Sequence, residues 1–174
     1  MLEALISSKT RIRLLLRFFL NPDSSAYLRG LAEEFSESTN SVRLELNRFE
    51  EAGMLNSDFV GNKKVFRANR SYPLFKEVRS ILLKYTGLQE VLDQIIEKLG
   101  DLKDVYLTGD LALGKDSDVV SLILIGDPDL HYLIQLIKRA EELMPKKIQY
   151  LVYSQEEASK MVFDSNHHLL IWHE

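Results

Sequence analysis

One predicted helix carries, on its polar face, side chains that can hydrogen-bond to nucleic-acid bases. Val42, Leu46 and Phe49 recur at i, i+4 and i+7 within residues 39–52, so they form one inward stripe. At about 100° per residue, the outward face and its flanks hold Asn40, Ser41, Arg43, Leu44, Asn47 and Arg48. Asn and Arg can pair bidentately with adenine and guanine, and an outward leucine can meet a thymine methyl group. The pattern favours a helix that reads the major groove of duplex DNA.

Basic side chains also lie on a predicted hairpin after this helix. Residues 54–59 and 65–68 are typical of two short strands around a tip at 61–64. On it, Lys63, Lys64 and Arg67 suit contact with phosphates or with the minor groove. Each of these residues alone is as readily explained by ordinary solvation, so the prediction depends on their joint order.

The elements that must position these side chains are two further helices. Residues 2–20 are predicted as a helix ended by Asn21-Pro22, because proline disfavours helical backbone in the residue before it. A second helix covers about Tyr27–Phe35, and a short turn at 36–38 leads into the third. Helix, helix, turn, helix and hairpin is the order of a winged helix-turn-helix, which we assign to residues 1–72.

Residues from about Ile12 to Gly87 resemble ArsR-type winged-helix regulators of bacteria, in the version fused to a nucleotidyltransferase-like domain. The segments that carry the resemblance are Tyr27–Ala32, Leu46–Leu55, Gly61–Asn69 and Tyr72–Phe75. The resemblance implies a homodimer on a pseudo-palindromic DNA site. It does not extend to metal sensing, because the chain has no cysteine to perform it.

A helical connector is predicted over residues 73–100, with a break at Thr86-Gly87. Pro73 opens its first helix and Leu88 its second, and both helices have a regular apolar side. These helices are a candidate dimer interface, although they could equally pack within one chain.

Strands and helices alternate over residues 101–174, which indicates a small α/β or α+β domain. Strands are predicted at 105–108, 119–125 and 148–153, and helices at 130–144 and 155–163. The tail 169–172 is compatible with either a strand or a helix. The predicted fold class is therefore α+β: a winged helix-turn-helix, a helical connector and a small C-terminal α/β domain.

Residues 104–154 resemble the core of polymerase-β-type nucleotidyltransferases. That resemblance implies a Gly-Ser turn for phosphates, two aspartates at i and i+2 on the next strand, and a third on a later strand, which together bind Mg²⁺. Here Asp110 follows Gly109 at the serine position. The third position falls near Gln149.

The paired aspartates are missing in either alignment of the second strand. One alignment gives Asp118 and Val120, and the other gives Val119 and Ser121. Asp116 and Asp118 are themselves an i, i+2 pair, but they fall in a turn, where acidic residues are common. We therefore expect no catalytic residues, no cofactor and no enzyme activity, and we place a candidate ligand pocket at Gly109, Asp110 and Asp118.

Composition limits the remaining classes of function. With 45% hydrophobic and 28% charged residues, the 174-residue chain is typical of a globular protein, and its start lacks the order of a signal peptide. No apolar run is long enough to span a membrane, and the lack of cysteine favours the cytoplasm. The four histidines lack the usual ligand spacing, so no metal site is predicted.

The sequence thus predicts a cytoplasmic, homodimeric DNA-binding transcriptional regulator. Its partners would be duplex DNA and a small-molecule or protein effector of the C-terminal domain, with no membrane. Two alternatives remain: a protein-interaction module whose winged helix contacts protein, and an active Mg²⁺-dependent nucleotidyltransferase. Salt-sensitive DNA binding would distinguish the first alternative from the regulator, and label transfer from a nucleoside triphosphate would indicate the second.

Overall fold

The computed structural model describes residues 4, 6–115, 117–164 and 167–174. The fold is mixed α+β, and the chain divides into two compact units, Met1–Leu82 and Leu83–Glu174. None of the helices in the described part of the chain is both long and apolar enough to cross a membrane.

The first unit consists of helices around a small antiparallel sheet. Its helices are α1 (Lys9–Leu15, continued by a π-helical turn at Leu16–Leu20), α2 (Leu28–Phe35) and α3 (Thr39–Glu51). Its strands are β1 (Ser25–Tyr27), β2 (Leu55–Val60) and β3 (Lys63–Ala68), in the order β1-β3-β2. Helix α4 (Phe75–Thr86) contains the boundary between the units.

Helix α3 is fixed by its cap and by its apolar stripe. Ser36, in the left-handed conformation with φ 53°, ends α2, and the Ser38 hydroxyl accepts a hydrogen bond from the Ser41 amide to begin α3. Val42, Leu46 and Phe49 are at most 5% exposed. The predicted inward stripe of this helix is therefore confirmed.

The helix predicted over residues 2–20 is interrupted at residues 6–8. Residues 6–8 are not helical, because the Ser8 side chain accepts a hydrogen bond from the Arg11 amide and so caps α1 at Lys9. Residues 2, 3 and 5 of that prediction lie outside the described residues. Between α1 and α2, Ser25 begins strand β1 by pairing with Arg67.

The second unit is a four-stranded mixed sheet with helices. Its helices are α5 (Leu88–Val91, a π-helical turn at Leu92–Ile96, then Glu97–Leu99), α6 (Gly109–Ala112), α7 (Leu130–Leu143) and α8 (Gln155–Ser159). Its strands are β4 (Leu102–Thr108), β5 (Val119–Gly126), β6 (Lys147–Tyr153) and β7 (Leu169–His173). They lie in the order β6-β5-β4-β7, with β5 and β6 parallel and the other pairs antiparallel.

The tail of the chain is a strand, which decides between the two alternatives. Leu169–His173 pairs with β4 and supplies the fourth strand of the sheet. The helix predicted over 155–163 ends at Ser159, because it has a Ser154–Glu157 capping box but no buried residue that would extend its packing.

Candidate functional site

Helix α3 presents most of its predicted base-reading side chains to solvent. Five of the six are exposed: Asn40, Arg43, Leu44, Asn47 and Arg48. Ser41 is half-buried, and its hydroxyl lies 3.4 Å from the Thr10 hydroxyl of α1. The outward face therefore depends on the five exposed residues, while Ser41 lies at its edge.

The two arginines of this face differ in their electrostatic environment. Arg48 Nη1 donates to Glu45 Oε1 at 3.1 Å, so part of its charge is compensated within the helix. Arg43 has no ion-pair partner among the residues that the structure describes. Arg43 is therefore the cation of this face that is most available to an external anion or a guanine edge.

Glu45 connects α3 to α1 beneath this face. Its side chain is 8% exposed, and Arg11 donates to both of its carboxylate oxygens, at 2.9 and 3.2 Å. Burial acts to raise the pKa of Glu45, but the hydrogen bonds and charge of Arg11, assisted by Ser8 and Arg48, outweigh it and lower the pKa. The carboxylate is therefore ionised at neutral pH and fixes the rotation of α3 against α1.

Lys64 of the hairpin is bound to the end of α3. Its ammonium lies 2.6 Å from Glu50 Oε2 and 5.1 Å from the centre of the Phe66 ring. Glu50 also accepts a hydrogen bond from Ser57, and these contacts from Lys64 and Ser57 lower the pKa of Glu50. Lys64 therefore attaches β3 to α3, and less of its charge remains for a phosphate.

The charges of the other two basic residues of the hairpin are less compensated by nearby carboxylates. Lys63 is exposed, with its ammonium 4.5 Å from the centre of the Tyr27 ring. Arg67 Nη1 is 3.9 Å from Asp58 Oδ2, and both side chains are more than half exposed. Pairs so exposed contribute little energy, so both cations can exchange partners.

A basic notch separates the hairpin from the start of α2. Its volume is about 340 Å³, and it is lined by Tyr27, Leu28, Arg29, Asn62, Lys63 and Lys64. A Cβ at Gly30 would lie 3.2 Å from Tyr27 Cζ, so glycine lets the ring lie against the helix. The sequence did not indicate Arg29 as a candidate binding residue, because only the fold brings it beside a hairpin more than 30 positions away in sequence.

The residues of the predicted ligand pocket lie at the ends of two strands in the second unit. Gly109, with φ 68°, begins α6, and a Cβ there would lie 3.1 Å from Ser121 Oγ. Asp110 and Asp118 are exposed on either side of a turn whose Asp116 lies outside the described residues. Among the described residues no hydrogen bond joins Asp110 and Asp118.

A cavity of about 360 Å³ lies beside Gly109. Of its lining residues, the sequence had indicated only Ser121 and Gln149, as positions where carboxylates are missing. Its lining comprises Thr108, Ser121, Leu122, Ile123, Gln149, Tyr150, Leu151 and His168. Ser121 pairs with both Thr108 and Gln149 across the strands, and Gln149 Nε2 donates to Ser121 Oγ at 2.6 Å. One of the two alignments places Ser121 at the second aspartate position and Gln149 near the third. The pairing of β5 with β6 sets these two positions side by side.

Among the described residues no carboxylate side chain lines this cavity, although nucleotidyltransferase chemistry would need clustered carboxylates there. Within the described parts of the chain, no group of three or more His, Cys, Asp or Glu side chains could hold a metal ion. The polar groups that line the cavity are hydroxyl, amide, phenol and imidazole groups, which bind a ligand by hydrogen bonds.

No family model matches this chain, and no curated protein matches it. Among solved structures, the chain is similar to the crystal structure of AF1382 from Archaeoglobus fulgidus, with 18% sequence identity and a TM-score of 0.40. The matched region covers 49% of this chain and 97% of that chain. Because the similarity is so weak, it indicates neither a family nor a function.

Proposed function

We propose that the protein is a DNA-binding transcriptional regulator. Its N-terminal unit acts as a winged helix-turn-helix that reads duplex DNA as a homodimer. The C-terminal unit is a catalytically degenerate nucleotidyltransferase-like domain that senses a ligand or binds a protein. The observation that carries the proposal is the outward face of α3, where Asn40, Arg43, Leu44, Asn47 and Arg48 are all exposed.

The support of this face favours a reading surface over a merely solvated one. A recognition helix must keep its rotation when it enters a groove, because bidentate contacts with bases tolerate little displacement. The Arg11–Glu45 pair and the buried Leu46 and Phe49 fix that rotation. The ion pair between Lys64 and Glu50 attaches the hairpin to α3, and so holds Lys63 at a fixed distance from that helix.

The cavity of the second unit, with its hydroxyl and amide groups, supports a binding role for that unit. Phosphoryl transfer needs metal ions to neutralise the phosphates. In the alignment that gives Val119 and Ser121, a hydrogen bond between Ser121 and Gln149 joins two positions where the resemblance implies carboxylates. We therefore assign no catalytic step to this unit.

A second candidate function is supported by the ion pairs of the basic residues. Arg48, Lys64 and Arg67 each lie within 4 Å of a carboxylate of the same unit, and Leu44 is 52% exposed. An apolar side chain among compensated charges is also a suitable surface for a protein partner. A complex that forms with protein but shows no salt-sensitive DNA binding would favour this candidate.

The proposal is tested by selecting duplexes from a random pool with the purified chain and measuring their affinity by fluorescence anisotropy. We expect the double variant Arg43→Ala/Asn47→Ala to lose about 1–3 kcal/mol of specific binding per lost base contact. Binding to scrambled duplex should weaken much less, because phosphate contacts through Lys63 remain.

The matched control is Gln135→Ala/Arg139→Ala, which removes an exposed amide and an exposed guanidinium from α7 in the second unit. We expect it to bind like the wild type. If the pool yields no preferred duplex, the proposal fails. If the α3 double variant binds specific and scrambled duplex as the wild type does, α3 is not the reading helix.

A further inference from the structure

The end of the β2–β3 hairpin pairs apolar side chains with lysines across the two strands. Phe59 lies opposite Lys64, and Val60 lies opposite Lys63. Phe59 is 74% exposed and Val60 is 59% exposed. A phenylalanine ring left so largely in water retains apolar surface that association with another molecule can bury.

We define the hairpin tip as Phe59, Val60, Gly61, Asn62 and Lys63. Each face of the hairpin here carries one apolar side chain of β2 and one lysine of β3. Side chains alternate along a strand, so Phe59 shares one face with Lys64 and Val60 shares the other with Lys63. On the first face Glu50 holds Lys64, whereas the Lys63 ammonium lies over the Tyr27 ring and has no carboxylate partner among the described residues.

We infer that the hairpin tip is a wedge for the minor groove of duplex DNA. Phe59 inserts its ring between two neighbouring base pairs, while Lys63 meets a phosphate at the rim of the groove. This inference rests on the proposed DNA-binding function and adds to it that the protein kinks the duplex that it binds.

Charge and shape favour DNA as the occupant over an apolar groove in another protein. The minor groove is about 6 Å wide, narrow enough that a hairpin tip inside it lies near phosphates on both sides. Apolar wedges such as phenylalanine unstack one base step there and kink the duplex by about 20–90°. An apolar groove in another protein would bury the Lys63 ammonium, which lies beside the apolar residues, without an anion to pair with it. Burial of an unpaired charge costs free energy.

The test measures the bend of a selected 30-base-pair duplex by energy transfer between dyes at its two ends. We expect the wild-type chain to shorten the end-to-end distance as a kink of about 20–90° requires. Phe59→Ala should leave the duplex nearly straight and lower the affinity by roughly ten-fold, because the ring no longer leaves water. Phe59→Leu, which retains an apolar wedge, should restore most of the bend.

The control is Val162→Ala, since Val162 is 89% exposed but lies in the second unit. It should bend DNA as the wild type does, and all variants should keep the wild-type melting temperature. A tightly bound but straight duplex with the wild type, or a full bend with Phe59→Ala, overturns the wedge and leaves the proposed function standing. If the wild-type chain binds no duplex, the proposed function and the wedge fail together.

Discussion

At the scale of single residues, Glu45 connects stability to the candidate reading face. Its pKa is lowered from the usual 4.5, so its contribution to folding is present above that value and is lost as pH falls through the lower, folded-state pKa. We expect Glu45→Gln to destabilise the chain by about 1–2 kcal/mol at pH 7, since a charge-assisted contact with Arg11 becomes a neutral one. Urea unfolding at pH 7 and at about pH 3 measures both effects.

Glu51 supplies the control for this prediction, because it is exposed near the end of the same helix. Glu51→Gln should change the free energy of unfolding by less than about 0.5 kcal/mol. Glu45→Gln should also lose less stability than the wild type between neutral and acid pH. An equal acid loss in both proteins would show that the Arg11–Glu45 pair is not what titrates.

At the scale of elements, Gly126 determines how the end of β5 meets the start of β4. It has φ 147°, and a Cβ there would lie 2.2 Å from the Asp101 carbonyl oxygen and 2.9 Å from Leu102 Cα. Both atoms belong to the backbone and cannot rotate away. We expect Gly126→Ala to cost roughly 2–4 kcal/mol, from backbone strain and overpacking together, measured by thermal or urea unfolding.

Gly53 separates these two causes, because it also has a positive φ, 71°, but apart from its chain neighbours no described atom lies within 4 Å of its would-be Cβ. Gly53→Ala should therefore cost only about 1 kcal/mol, the strain of a left-handed alanine. Equal losses at the two positions would mean that the close approach to β4 relaxes at little cost.

At the scale of the whole molecule, charge is unevenly divided along the chain. Residues 1–72 carry 11 basic and 9 acidic residues, a net charge of +2, whereas residues 73–174 carry 11 and 17, a net charge of −6. If the chain binds DNA as proposed, the attraction therefore comes from a few cations among residues 1–72. We expect Lys63→Ala to reduce the slope of log affinity against log salt by about 0.9, equally on specific and scrambled duplex.

Lys64→Ala should change this slope less, because Glu50 already compensates Lys64. Lys138→Ala, which removes an exposed charge from α7, should leave it unchanged. Anisotropy titrations across about 50–200 mM salt measure all three slopes. A Lys64 effect as large as that of Lys63 would mean that the Glu50 pair opens when DNA binds.

The sequence by itself determined most of the elements of this protein and the outward face of α3. Val42, Leu46 and Phe49 repeat at helical spacing, so the burial of one stripe dictates which residues remain outside. The ends of the elements were less predictable. Ser8 caps α1, Ser25 joins β1 by pairing with Arg67, and α8 ends at Ser159 because it has no buried residue. Hydrophobic periodicity indicates none of these three contacts or absences.

The tertiary structure alone decided which side chains stand together. Only strand pairing makes the tail a fourth strand, places Ser121 beside Gln149, and sets Phe59 opposite Lys64. Likewise, only the fold shows that Glu50 binds Lys64 and that Arg29 lies beside Lys63. The physical reason is that helix periodicity is a local property of the chain, whereas ion pairs, cavities and strand register join residues far apart in sequence.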